Sequence, residues 1–191
     1  MKRIMTKLAV LALALSLLIV SGASAAILNT AWVTVPSSQW EEVFKLVITT
    51  VELNANPVFT VTEYPDYDPA YCFGHALTIN DFMKLTYYDD GNDVFNTAVL
   101  EIDLSYPNLP SDQAWSAIYA TIIASDNAST QDQWVQLMDA ICPQFEDVLS
   151  GAQRINGAQA ATLNGIGYML DLNADANLAR FLANATITVN D

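Results

Sequence analysis

Trp40, Val43, Phe44, Val47 and Val51 follow one another at three- and four-residue steps, the spacing that lines one face of a helix. Trp115, Ile118, Tyr119 and Ile122 repeat the pattern, and Trp134, Leu137, Met138, Ile141, Phe145 and Val148 form the longest stripe. Each stripe begins beside residues suited to a helix N-terminus. Ser38 with Glu41, and Thr130 with Gln133, have the spacing of a capping box, in which side chains satisfy amides left free in the first turn. The middle helix starts after Pro110, with Ser111 or Asp112 as its cap. Pro143 falls inside the third stripe and has no amide proton to donate, which predicts a kink or an end near Cys142.

A second periodicity fills the remaining chain. "PVFTVTEY" from Pro57, "DFMKLTYY" from Asp81 and "DVFNTAVLEIDLSY" from Asp93 alternate in the manner of strands. In the last of these, Ala98, Leu100, Ile102 and Leu104 share one face, while Val99, Glu101 and Asp103 share the other. That is a half-buried antiparallel strand with one wet face. "NGIGYMLDL" and the terminal "ATITV" read as further strands. Asp175–Ala185 has a helical composition but follows a turn, and is taken as strand.

The two periodicities together predict an α+β fold: an antiparallel sheet with two or three amphipathic helices on one face. "QWEEVFKLV" at Gln39 resembles "QWVQLMDAI" at Gln133, and "FMKLTYYDDGND" at Phe82 resembles "YMLDLNADAN" at Tyr168. These pairs point to two tandem helix-plus-hairpin units, residues 37–106 and 110–191, within a single domain spanning 26–191.

The first 25 residues stand apart. Lys2, Arg3 and Lys7 precede an apolar run from Leu8 to Val20, and Ala23 and Ala25 occupy the small-residue positions of a cleavage site. The pattern is that of a secretory signal peptide, and the run is shorter than the ~20 residues a spanning helix requires. The expected location is therefore periplasmic or extracellular, with no membrane insertion after cleavage. Removing the signal leaves Lys45, Lys84, Arg154 and Arg180 against 21 acidic residues, a net charge of −17. Nucleic acid is an unfavourable partner for such a surface, and a basic protein or peptide a favourable one. In an oxidising compartment Cys72 and Cys142 are expected to form a disulfide.

Candidate chemistry is sparse. "YYDDGNDVF", from Tyr87, crowds Asp89, Asp90 and Asp93 around Gly91. Asp-Gly between apolar runs is first a hairpin signal, and these carboxylates are secondarily a weak calcium site. Asp171, Asn173, Asp175 and Asn177 occupy alternate positions like those of an EF-hand loop, but Ala176 and Leu182 stand where it needs glycine and glutamate. No cofactor is otherwise implied. His75, the single histidine, is expected to be a packed residue, and no serine-hydrolase elbow, phosphate loop or zinc-protease motif occurs. The best binding candidate is "EYPDYDPAY", where Glu63, Asp66 and Asp68 alternate with Tyr64, Tyr67 and Tyr71. Tyrosine offers contact area at low entropic cost, and the acids select basic partners. The expectation is a non-enzymatic, exported, acidic interaction protein. The alternatives are a small secreted hydrolase using carboxylates and an envelope or matrix protein with weak calcium binding.

Overall fold

The computed structural model describes residues 36–50, 73–89, 92–126 and 128–185. The first apolar stripe forms helix α1 (Ser37–Thr50), which buries Trp40, Val43, Phe44, Val47 and Ile48. Its cap differs from the expected box. Ser38 lies within the first turn, and the acceptor comes from a hairpin tip: the Asp93 carboxylate accepts from the Ser38 amide and hydroxyl, both at 3.0 Å. The Asp93 carbonyl accepts from the Ser37 amide at 2.9 Å. A carboxylate here also faces the positive end of the helix dipole. Glu41, expected to close the box, instead accepts from Lys45 and Tyr87.

Helix α2 (Ser111–Ser125) is enclosed rather than amphipathic, since every residue from Ala117 to Ser125 is buried. Ala114, Ala117, Ala120 and Ala124 keep it slim enough to contact α1 and two central strands of the sheet. Its buried hydroxyls are satisfied one turn back, Thr121 donating to the Ala117 carbonyl at 2.9 Å and Ser125 to the Thr121 carbonyl at 2.8 Å. Its N-cap is Pro110, with no side-chain capping bond. Asp112, one of the expected caps, accepts from the adjacent Gln113 amide instead. Helix α3 (Gln131–Ile141) has the expected capping box in full between Thr130 and Gln133. It stops at Cys142, ahead of Pro143, and the apolar stripe resumes in the short α4 (Phe145–Leu149).

Six strands make one antiparallel sheet: β1 (Phe73–Asn80), β2 (Met83–Asp89), β3 (Phe95–Asp103), β4 (Asn156–Leu163), β5 (Ile166–Asn173) and β6 (Leu178–Asn184). Their order, β1-β2-β3-β6-β5-β4, is two three-stranded meanders joined where β3 pairs with β6. The fold is α+β, with helices packed on the sheet. The two similar sequence segments at Phe82 and Tyr168 overlap the middle strand of each meander, and the two at Gln39 and Gln133 lie within α1 and α3. Asp175–Ala185 contains the strand β6. "PVFTVTEY" and "ATITV" lie wholly or mostly outside the described residues.

β4 is a strand that its residues do not announce. "NGAQAATL" has no apolar alternation, and its signal is the turn that follows. Asn164 and Gly165 adopt φ of 50° and 83°, the left-handed pair of a two-residue hairpin turn.

The inner face carries the core. Leu77, Ile79, Leu85, Leu100, Phe181, Tyr168 and Leu170 are all nearly or completely buried. Trp40 is the point where the layers meet. Its ring stacks on Phe44 of α1 at 5.4 Å and Phe95 of β3 at 5.1 Å, and tilts against Tyr87 of β2 at 5.2 Å. Its indole N–H donates to the Ser125 hydroxyl at the end of α2, at 3.0 Å.

Cys142 is buried at the end of α3, beside Gly157 of β4 and Leu172 of β5. Cys72, its expected disulfide partner, lies outside the described residues.

Two outcomes are expected. Trp40→Ala should lower unfolding free energy by about 3–5 kcal/mol in urea titration, and Trp40→Phe by less, because it keeps the ring contacts and loses only the bond to Ser125. With reductant present, Cys142 of the folded protein should react slowly with a thiol reagent, because burial pushes its thiol pKa up and the Gln144 amide offsets that only in part.

Candidate functional site

The two loops singled out by sequence fare differently. Glu63, Tyr64, Asp66, Tyr67, Asp68 and Tyr71 lie outside the described residues, as does Asp90. Asp89 and Asp93 are described, and they turn to separate partners. Asp93, at φ 60°, caps α1, while Asp89 faces His75 with Oδ2 3.3 Å from Nε2. Among the described residues no three His, Cys, Asp or Glu side chains converge as a metal site. In the second acidic run, Asn173 accepts from the Ala176 amide at 2.9 Å and Asn177 has φ 50°, both features of the β5–β6 turn.

His75 belongs to a polar cluster that spacing did not foretell, because its members come from α1, β1 and β2. The imidazole stacks on the Tyr87 ring at 4.7 Å and 11°. Tyr87 donates its hydroxyl to Glu41, which Lys45 also contacts from the next helical turn. Burial by itself would raise the Glu41 pKa, but hydrogen bonds from Lys45 and Tyr87, with the charges of Lys45 and His75, outweigh it and hold the carboxyl below its usual range. Burial, the bond to Glu41 and the charges of Glu41, Asp89 and Asp93 keep the Tyr87 phenol protonated far above the usual tyrosine range. His75 faces the Asp89 carboxylate and stacks on Tyr87, and through Tyr87 and Glu41 the cluster fastens α1 to the sheet.

The outer face of the sheet offers a different arrangement. One register row crosses all six strands as Ala76, Thr86, Val99, Leu182, Met169 and Ala160. From Thr86 to Met169 this row is half-buried, and Ala160 is exposed. The neighbouring row reads Thr78, Lys84, Glu101, Arg180, Asp171 and Ala158, with Arg180 Nε donating to Glu101 at 2.9 Å. An apolar row thus runs beside a charged one on the face away from the core. Towards β4 it opens into a depression of about 300 Å³ lined by Ala160, Thr162, Gly167, Met169, Leu182 and Asn184. Alternation alone placed Val99 and Glu101 on the wet face. Leu182 and Met169 needed the pairing of β6 with β3 and β5 to join them.

Comparison with protein-family models, curated proteins and solved structures finds no match.

The Glu41 shift has a definite pH signature. Its folded-state value lies below the usual one near 4.5, so its stabilisation is complete above that pH and is lost as pH falls through the lowered value. Glu41→Gln should cost about 1–2 kcal/mol at neutral pH. Its deficit relative to the parent chain should shrink on going from about pH 5 to pH 3 in urea unfolding.

Proposed function

We propose that this chain is an exported, acidic, non-enzymatic binding protein that holds a basic protein or peptide against the outer face of its sheet. The observation that carries this reading is the row Val99, Leu182 and Met169, half-buried on rigid strands and flanked by the charges of Lys84, Glu101, Arg180 and Asp171. Apolar contacts at the centre with charges at the rim suit protein recognition. The chain's net charge of −14, before any signal is removed, draws cationic partners from a distance. The sequence segment Glu63–Tyr71, outside the described residues, is in this reading a further source of acids and tyrosines for a basic partner.

The probe is a ten-residue peptide of alternating lysine and valine, whose valines match the apolar row and whose lysines meet the acids. Calorimetric titration should show binding that weakens about tenfold or more between about 50 and 500 mM NaCl, as screening removes the attraction. Met169→Asp should weaken it by a similar factor with circular dichroism unchanged. Binding indifferent to salt, or undiminished by Met169→Asp, would overturn the proposal.

A further inference from the structure

We propose that two copies of this chain associate through the outer edge of β4, continuing the sheet across a two-fold axis. An outer strand presents unpaired N–H and C=O groups, and proteins usually guard such an edge with charge, proline or a covering element. Two of these safeguards are missing from β4 among the described residues, although α3 packs against it. It contains no charged residue and no proline, and the run Ile155–Leu170 around it carries no charge at all. Asn156 to Ala160 and Thr162 are exposed, and a Cβ added at Gly157 would meet no atom within 4 Å. The other outer strand differs: Gly74, Ala76, Leu77 and Ile79 of β1 are buried.

The turn decides which groups face outward. In a two-residue hairpin the residues flanking the turn exchange both hydrogen bonds, and such pairs then recur at every second residue. Leu163 flanks the turn opposite Ile166, and Ala161 pairs with Tyr168 and Gln159 with Leu170, so these residues bond inward to β5. Ala158, Ala160 and Thr162 therefore point their N–H and C=O groups outward. A second copy fits this edge antiparallel, with Ala160 facing its own counterpart and Ala158 facing Thr162. The small side chains avoid a clash at the seam. They also bring the depressions beside Met169 of the two copies towards each other on one face.

Charge selects a second copy as the occupant. Two strongly acidic molecules approach most easily where neither carries charge, and the run Ile155–Leu170 is such a place. Net repulsion still opposes the dimer, so salt should strengthen it, the reverse of its effect on a basic ligand. That sign separates this inference from the reading of the outer face, on which it does not depend.

Sedimentation velocity on the full chain over a concentration series tests it. A monomer–dimer equilibrium is expected, with a dissociation constant falling severalfold between about 10 and 300 mM NaCl. Ala160→Pro removes an outward amide and leaves the β4–β5 ladder intact, so it should raise that constant at least tenfold without changing the circular dichroism. If that variant fails to fold, Ala160→Lys replaces it, since like charges directly opposite repel. Mixing A160K with A160E should restore dimers that neither forms alone. A chain that stays monomeric at millimolar concentration in 300 mM salt would overturn the proposal. So would a dimer untouched by A160P and A160K, which would place the contact elsewhere.

Discussion

The position of Trp40 is the constraint on which the layers depend. Its ring is the shared neighbour of α1, β2 and β3, and its N–H reaches the last residue of α2. Interiors are packed as densely as crystals, so one large planar side chain with four fixed neighbours sets the spacing of everything around it. The Ser125 hydroxyl serves twice, accepting from the indole and donating to the Thr121 carbonyl. Both polar groups thus enter the core without an unmet hydrogen bond, which would otherwise cost on the order of 1–3 kcal/mol. The core is not wholly free of that cost. The Tyr168 hydroxyl is buried with no partner among the described residues.

Around this hub, acidic residues act as fasteners. Asp93 ends a hairpin and begins a helix at once, which ties the β2–β3 tip to the start of α1. Glu41 and Tyr87 make the next tie one turn along the helix, and His75 with Asp89 extends the contact to β1. The same carboxylates, seen as a string of letters, resemble a cation loop. In the folded chain Asp89 and Asp93 turn to different donors: a helix N-terminus for Asp93, an imidazole for Asp89. Capping and ion binding draw on one property, an oxygen-rich turn, and only the surrounding elements choose between them.

The sheet has two unlike faces and two unlike edges. Helices cover one face with a continuous apolar core, while the other carries a single apolar row beside a charged one. One outer strand is largely buried and the other exposed. The proposed recognition of a basic ligand and the proposed self-association would use different parts of this asymmetry, the outer face and the β4 edge. They would respond to salt in opposite directions because one joins unlike charges and the other like ones.

Sequence by itself determined the helical stripes, the α3 cap at Thr130, the break before Pro143 and the two-faced pattern of β3. These follow from local spacing and local hydrogen bonding, which three or four neighbouring residues are enough to specify. It also determined the strongly acidic charge. Only tertiary structure decided that Asp93 rather than Ser38 caps α1, that α2 is enclosed, that His75 meets Tyr87 and Asp89, and that Leu182 and Met169 align with Val99. β4 belongs with these, because Gly, Ala and Gln at its centre carry little pattern and pairing with β5 makes it a strand. Each of these outcomes joins residues far apart in the chain through strand register. A shift of one residue would turn every side chain to the opposite face, and local spacing contains no record of which register the packed core selects.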